Sequence, residues 1–275
     1  MGVLVSPSVG VDVIVRYHRA DRTLELDIAL ASLFNQTYSP IHVIVVTQNF
    51  SADDIRVVRE LLSEYDWETR HAPPTVVNVE SPPGVDARSK LLNAGIAKTR
   101  QRYLAFLDYD DLLYSHAYEH LINVAQEHGA AVSFGGIVVK HVCVFENFVW
   151  NLNRIDDYFR VGGLEDFVHD NFCPIHSFIV DMSKIDLAQL SFNENLTRLE
   201  DYDFLLRLAE NYKFSFEGIG RKIGVYNFHI DGSNSSQVFL GRGPEYEANA
   251  RRWNDARRHI WRLKNRVKDK IKTNV

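Results

Sequence analysis

VDVIVRYHRADRTLELDIALASLFNQTYSPIHVIVV, residues 11–46, sets two short runs of β-branched residues, VDVIV at 11–15 and HVIVV at 42–46, on either side of a stretch that repeats Leu26, Leu30, Leu33 and Phe34 at helical spacing. Strands that are apolar at nearly every position are buried on both faces, and a helix between two of them is the usual parallel crossover. The stretch reads as strand, helix, strand, and the same alternation continues outward. A second helix is predicted over about 52–65, with Ser51 as its N-cap and Asp54 three residues on. VVNVE at 76–80 supplies a third strand, and the helix of SKLLNAGIAK leads into RYLAFL at 102–107, a further buried strand. The expected fold class is α/β, an open, mainly parallel sheet covered by helices on both faces and joined by right-handed crossovers.

Beyond Asp111 the texture changes. A helix in SHAYEHLINVAQEHG is followed by the β-rich AAVSFGGIVVKHVCVF, and then by a region from about Glu146 to Cys173 with few periodic signals, read here as irregular. HSFIVD at 176–181 reads as a strand, EDYDFLLRLAENY at 200–212 as an amphipathic helix, and KFSFEG and KIGVYNFHI as strands. From about Pro244 the chain becomes one long helical pattern, with Trp253, Ala256, Ile260, Leu263, Val267 and Ile271 at steps of three or four. No internal repeat or low-complexity segment interrupts it.

Composition narrows the function classes. With 275 residues, 45% hydrophobic and 12% aromatic, the chain can build a substantial core. Cys143 and Cys173 cannot form a disulfide framework and suit a reducing compartment, and no apolar run is long enough to span a bilayer. A cytoplasmic protein, soluble or peripheral on the inner face of the membrane, is expected. The net charge of −5 is unevenly spread: from Arg251 onward ten Lys and Arg face two Asp, a balance of +8, which leaves −13 on residues 1–250. An acidic body argues against nucleic acid as a ligand, because phosphate backbones are held by clustered Lys and Arg. The basic helix with Trp253, Ile260, Trp261, Leu263 and Val267 suits an anionic membrane surface as well as it suits packing on the acidic body or joining a partner, and a lead into a further domain is the remaining alternative.

Two acidic clusters carry the chemistry. In FLDYDD an apolar strand ends directly in Asp108, Asp110 and Asp111, and in open α/β sheets ligands bind outside the carboxyl ends of strands. Asp108 and Asp110 alternate about Tyr109, so a short turn can aim one at a nucleotide and the other at a cation. Their hard oxygens suit Mg²⁺ or Mn²⁺. The plainer alternative is a solvated turn ahead of the helix starting near Ser115. In LEDYDF, Glu200 and Asp201 open an amphipathic helix, where Asp201 is either a general base or simply a dipole-stabilised end group.

At this point the chain resembles the family 2 glycosyltransferases of GT-A fold. Four blocks occur in order across about residues 11–236: the opening stretch above, DARSKLLNAGIAKTRQRYLAFLDYDD, LTRLEDYDFLLRLA and VYNFHIDGSNSS. The resemblance implies a nucleotide-binding half over about 1–111, an acceptor half over about 112–243 and a basic helix over 244–275. It implies Asp108 and Asp110 as a D-x-D motif with Asp110 the direct metal ligand, and Asp201 as catalytic base beside Glu200. Arg88 and Asn93 would sit near the donor nucleotide, the alternatives being a surface arginine and a turn or helix hydrogen bond, and Arg16 and Tyr17 would line its base, Tyr17 by stacking or hydrogen bonding unless it only covers the edge of the core. His229 would lie near the diphosphate or metal, and His176 near the acceptor unless it is a core histidine. The Ser233 to Ser236 stretch would form a mobile loop over the donor. The chain departs from the family after the second strand, where TQNF puts Gln48 and Asn49 in place of an acidic turn that reads the base, and so leaves donor identity open. The implied activity is inverting transfer of a sugar from a nucleotide-sugar donor to a glycan or lipid-linked acceptor. A nucleotide-sugar-binding module without turnover and a metal-dependent nucleotidyltransferase are the rival readings. The latter usually wants a glycine-rich phosphate loop, which VRYHRAD lacks.

Overall fold

The computed structural model describes residues 9–82, 84–145, 148–156, 162–171, 173–230 and 244–273. In its first part β1 (Val11–Tyr17), α1 (Thr23–Phe34), β2 (Ile41–Gln48), α2 (Ala52–Ser63), β3 (Ala72–Val79), α3 (Arg88–Ile96) and β4 (Tyr103–Asp108) alternate as expected. β4, β1, β2 and β3 pair in parallel, in that order. The continuous apolar runs arise because each strand feeds two cores. β1 sends Val11, Val13 and Val15 into one and Ile14 into the other, and β2 divides Val43 and Val45 from Ile44 and Val46. α1 buries Leu26, Ala29, Leu30 and Leu33 completely. At α2 the Ser51 hydroxyl accepts from the Asp54 N–H while the Asp54 carboxylate accepts from the Ser51 N–H, a complete capping box.

The second part contributes β5 (Leu112–Leu113), α4 (Ala117–Glu127), β6 (Val132–Phe134), β7 (Gly136–Phe145), β8 (Phe148–Ile155), α5 (Leu164–His169), β9 (Phe178–Asp181), α6 (Glu200–Ala209), β10 (Phe214–Ser215), β11 (Lys222–His229) and α7 (Pro244–Thr273). Strands from beyond residue 111 complete the large sheet, whose order is β10-β6-β9-β4-β1-β2-β3, with β9 antiparallel to β4 and β6. A smaller sheet, β5-β11-β7-β8, stands beside it. The region from Glu146 to Cys173, read from sequence as irregular, contains β8 and α5. β8 escaped notice because it is an edge strand: Phe148, Trp150 and Leu152 stay exposed beside exposed asparagines, so burial imposes no alternation.

α7 packs on α5 and α6 through Ala256, Ile260, Leu263 and Val267, all buried. Polar contacts fix its register. His259 Nε2 lies 2.6 Å from Oδ1 of the fully buried Asp203, and Lys270 Nζ donates to the Glu210 carbonyl and to Asn211 Oδ1. The apolar stripe is therefore spent on the protein body. Of the large apolar residues grouped on this helix from sequence, Trp261 alone is 65% exposed, while Ile260, Leu263 and Val267 have no face left for lipid. Among the described residues no helix is long and apolar enough to cross a membrane.

Candidate active site

β4 ends in Asp108, and the turn after it carries Asp110 and Asp111. α6 begins with Glu200 and Asp201, aimed by Leu199, which adopts left-handed φ 59°, a conformation a branched side chain takes at a cost of roughly 1 kcal/mol or more. Arg16, the next-to-last residue of β1, joins the two clusters. Its Nε and Nη2 donate to the two oxygens of Asp108 at 2.9 and 2.8 Å, and its Nη1 donates to Glu200 Oε1 at 3.3 Å. Arg88, opening α3, pairs with Asp86 at 2.9 Å and approaches Glu200 at 3.5 Å. Positions far apart in the chain thus meet around one guanidinium.

Two cavities share this wall. One, of about 520 Å³, is lined by Arg16, His18, Gln48, Asn49, Asp86, Arg88, Asp108, Tyr109 and Asp110. The other, of about 430 Å³, is lined by Arg16, Arg88, Asp108, Asp111, Glu200 and Asp201 on one side and by Val139, His141, Tyr226, Phe228 and Trp253 on the other. Arg16, Arg88, Asp108 and Tyr226 border both.

The electrostatics separates the carboxylates. Burial, reinforced by the charge of Glu200, pushes Asp201 up to about 7, although the Tyr202 N–H donates to its Oδ1 at 2.7 Å. Burial also pushes Asp111 up to about 6 against the opposing pull of His176, whose Nδ1 lies 3.2 Å away. Asp110 is half-buried, and His229, with Nε2 at 3.3 Å, outweighs the loss of water and holds it below its ordinary value. Oxygens of Asp108, Asp110 and Asp111 lie within 4.8 Å of one another, a set of hard donors that fits a divalent cation. Within the set, Asp108 is engaged by Arg16 at both oxygens, and Asp111 accepts from the Asn227 N–H at 2.8 Å, which leaves Asp110 the most available.

Several expectations meet a different geometry. The Tyr17 ring is fully buried, edge-on to Phe50 and Tyr109, so it belongs to the core and does not stack on a base. Asn93 lies away from both cavities: its amide donates to the Phe192 carbonyl and to Glu194 Oε1 and accepts from the Phe192 N–H, tethering the segment ahead of α6. Both Gln48 and Asn49 line the first cavity, but Asn49, at φ 54°, spends its amide on both backbone groups of Ser81, and Gln48 donates to the Val85 carbonyl and keeps its side-chain oxygen. His176 is 1% exposed beneath Asp111 and borders neither cavity. The Ser233 to Ser236 stretch lies outside the described residues. Sequence reading passed over His18, whose pKa burial and Arg16 lower, and Asp86, which holds Arg88 and Arg198. The D-A-R spacing just before α3 was the available signal for Asp86.

The model of glycosyl transferase family 2 matches residues 13–183. An uncharacterized glycosyltransferase of Methanocaldococcus jannaschii is 22% identical over 223 residues, which span 78% of this chain and 69% of that protein. Among solved structures, S. aureus TarS residues 1–349 superpose with a TM-score of 0.56 at 15% identity, covering 79% of this chain and 60% of that one. The mannosyltransferase PcManGT from Pyrobaculum calidifontis, in complex with GDP-Man and Mn²⁺, gives 0.53 at 11% identity, covering 98% and 77%. At these identities the likeness is one of fold, and the fold is GT-A.

Proposed function

Because the chain belongs to glycosyl transferase family 2, we propose that it moves a sugar from a nucleoside-diphosphate sugar to an acceptor hydroxyl, with inversion by direct displacement. The observation that carries this reading is that Asp201, a carboxyl pushed up to about 7, lines the same cavity as Asp108, while Asp108 and Asp110 line the adjoining one. A base whose pKa lies near the working pH is half ionised there and still basic enough to take a proton. Asp201 deprotonates the acceptor hydroxyl from the second cavity. Arg16 and Arg88 set the wall between donor and acceptor, and Gln48 and His18 face the nucleoside from the first cavity. Asp110, with Asp108, Asp111 and His229 around it, would hold Mn²⁺ or Mg²⁺, which when bound supplies positive charge for the departing diphosphate.

The acceptor, a glycan or a lipid-linked glycan, approaches from the side of Tyr226 and Phe228. The protein would act in the cytoplasm, soluble or peripheral on a membrane. In the test, melting is followed with UDP, GDP and their sugars, with and without Mn²⁺, since a ligand bound only by the folded state raises its stability. At least one nucleotide is expected to raise Tm, and more so with Mn²⁺. Absence of a shift with every nucleotide would remove the reading.

A further inference from the structure

The face of the small sheet that borders the cavity of Asp201 continues past it as an apolar surface. Strand alternation places Val139, His141, Cys143 and Phe145 of β7 on that face, and the first two line the cavity. The pairings of Cys143 with Trp150 and of Phe145 with Phe148 carry the face onto the edge strand β8, where the Phe145 and Phe148 rings stack at 4.7 Å. On the other side Tyr226 and Phe228 of β11 line the cavity, and Ile230, whose N–H donates to the Val142 carbonyl, extends their row. From Val139 to Phe145 the face runs roughly 20 Å. Its inner end is half-polar, with His141 paired to Asn153. Its outer end is not: Phe145, Phe148, Trp150 and Ile230 are 45%, 56%, 57% and 45% exposed. Monomeric soluble proteins seldom leave contiguous aromatic surface open, and a rim of Trp and Phe is suited to the boundary between headgroups and hydrocarbon.

We propose that this outer face of the β7–β8 hairpin seats on a lipid surface, so that the cavity of Asp201 opens toward an acceptor carried in that surface. The occupant is argued from continuity and from chemistry. The rows lead from the cavity, past the polar His141, to the outer aromatics, where Phe145, Phe148 and Ile230 offer a soluble glycan no hydrogen bond and Trp150 offers a single indole N–H, the apolar body with one polar tip that suits a membrane interface. Seating on lipid stands independently of sugar transfer, whereas supply of the acceptor from the lipid rests on that reading.

The experiment uses the full chain with vesicles of phosphatidylcholine brominated on the acyl chains. Vesicles should carry the protein in flotation and quench its tryptophan emission. Trp150→Phe should remove more of the quenching than Trp261→Phe, whose ring is equally open but belongs to α7 and not to the hairpin. The double change Phe148→Ser with Trp150→Ser should lower vesicle partitioning about tenfold or more, given the apolar area withdrawn. Far-UV circular dichroism and the nucleotide-induced rise in Tm should stay as in the parent, which shows that the variant is folded. A parent chain that does not float with vesicles, or a double variant that floats as well as the parent, overturns the proposal. So does a parent that sediments as a dimer while the double variant sediments as a monomer, since a second copy then covers the face. If vesicle binding holds and no nucleotide binds, the lipid seat stands and the sugar-transfer reading falls.

Discussion

Replacing Asp201 by Asn is the perturbation with the most defined outcome, because the environment of this carboxyl acts on both activity and stability. Burial and the charge of Glu200 hold it at about 7 in place of the ordinary 3.8, which corresponds to roughly 4 kcal/mol between its charged and neutral forms. That is a ceiling, since Asp201 is only half-buried and solvent screens part of the effect. The sign follows from proton linkage. The folded state binds this proton more tightly than the unfolded chain does, so the carboxyl costs nothing below about pH 4. Its destabilisation grows from there to about 7 and is complete above it. Asn keeps an oxygen for the Tyr202 N–H and cannot ionise. The variant should therefore melt several degrees above the parent at about pH 8 and level with it at about pH 4. Transfer should fall about 10²- to 10⁴-fold, the usual contribution of a positioned base, with nucleotide binding retained. The parent's kcat/KM should decline as pH drops through about 7, and the variant's residual rate should lose that limb. Melting curves at the two pH values and initial rates across the range provide the check. Transfer within tenfold of the parent, or a lower Tm at about pH 8, would refute the assignment.

Arg16→Met removes the guanidinium between Asp108 and Glu200, both facing it from partly or fully buried positions. Stability should drop by about 3–5 kcal/mol, because the remaining carboxylates are left without a counter-charge, and adding Asp108→Asn should recover part of the loss in denaturant titrations. Asn93→Ala cuts the tether to Phe192 and Glu194, so melting should show a loss of about 1–3 kcal/mol while nucleotide affinity stays within about twofold. Gly95→Ala would set a Cβ 2.6 Å from Ile14 where α3 rests on β1, and urea unfolding should report about 1–3 kcal/mol of destabilisation despite the better helix former.

The alternation of strand and helix through β4 was legible because burial on both faces makes a strand apolar throughout, and because Ser51 and Asp54 satisfy a helix end from within four residues. The acidic clusters at 108–111 and 200–201 could be read for the same local reason: carboxylates at the end of a buried strand and at the start of a helix are conspicuous in one dimension. Other features depend on partners remote in sequence. β8 has no burial pattern of its own and exists through its pairing with β7, and β9 enters the first sheet antiparallel from seventy residues further along the chain than β4. Tyr17 and Asn93 were legible as polar side chains next to ligand-binding segments, yet whether a side chain faces a cavity or the core is settled by what packs against it. Phe50 and Tyr109 enclose the first, and the Phe192 backbone holds the second. Periodicity marked one apolar stripe on α7 but left its covering open, and α5 and α6 supply it. Only the folded chain brings Arg16 between Asp108 and Glu200, 184 positions beyond it, and charges separated so widely interact through space with no trace in local sequence.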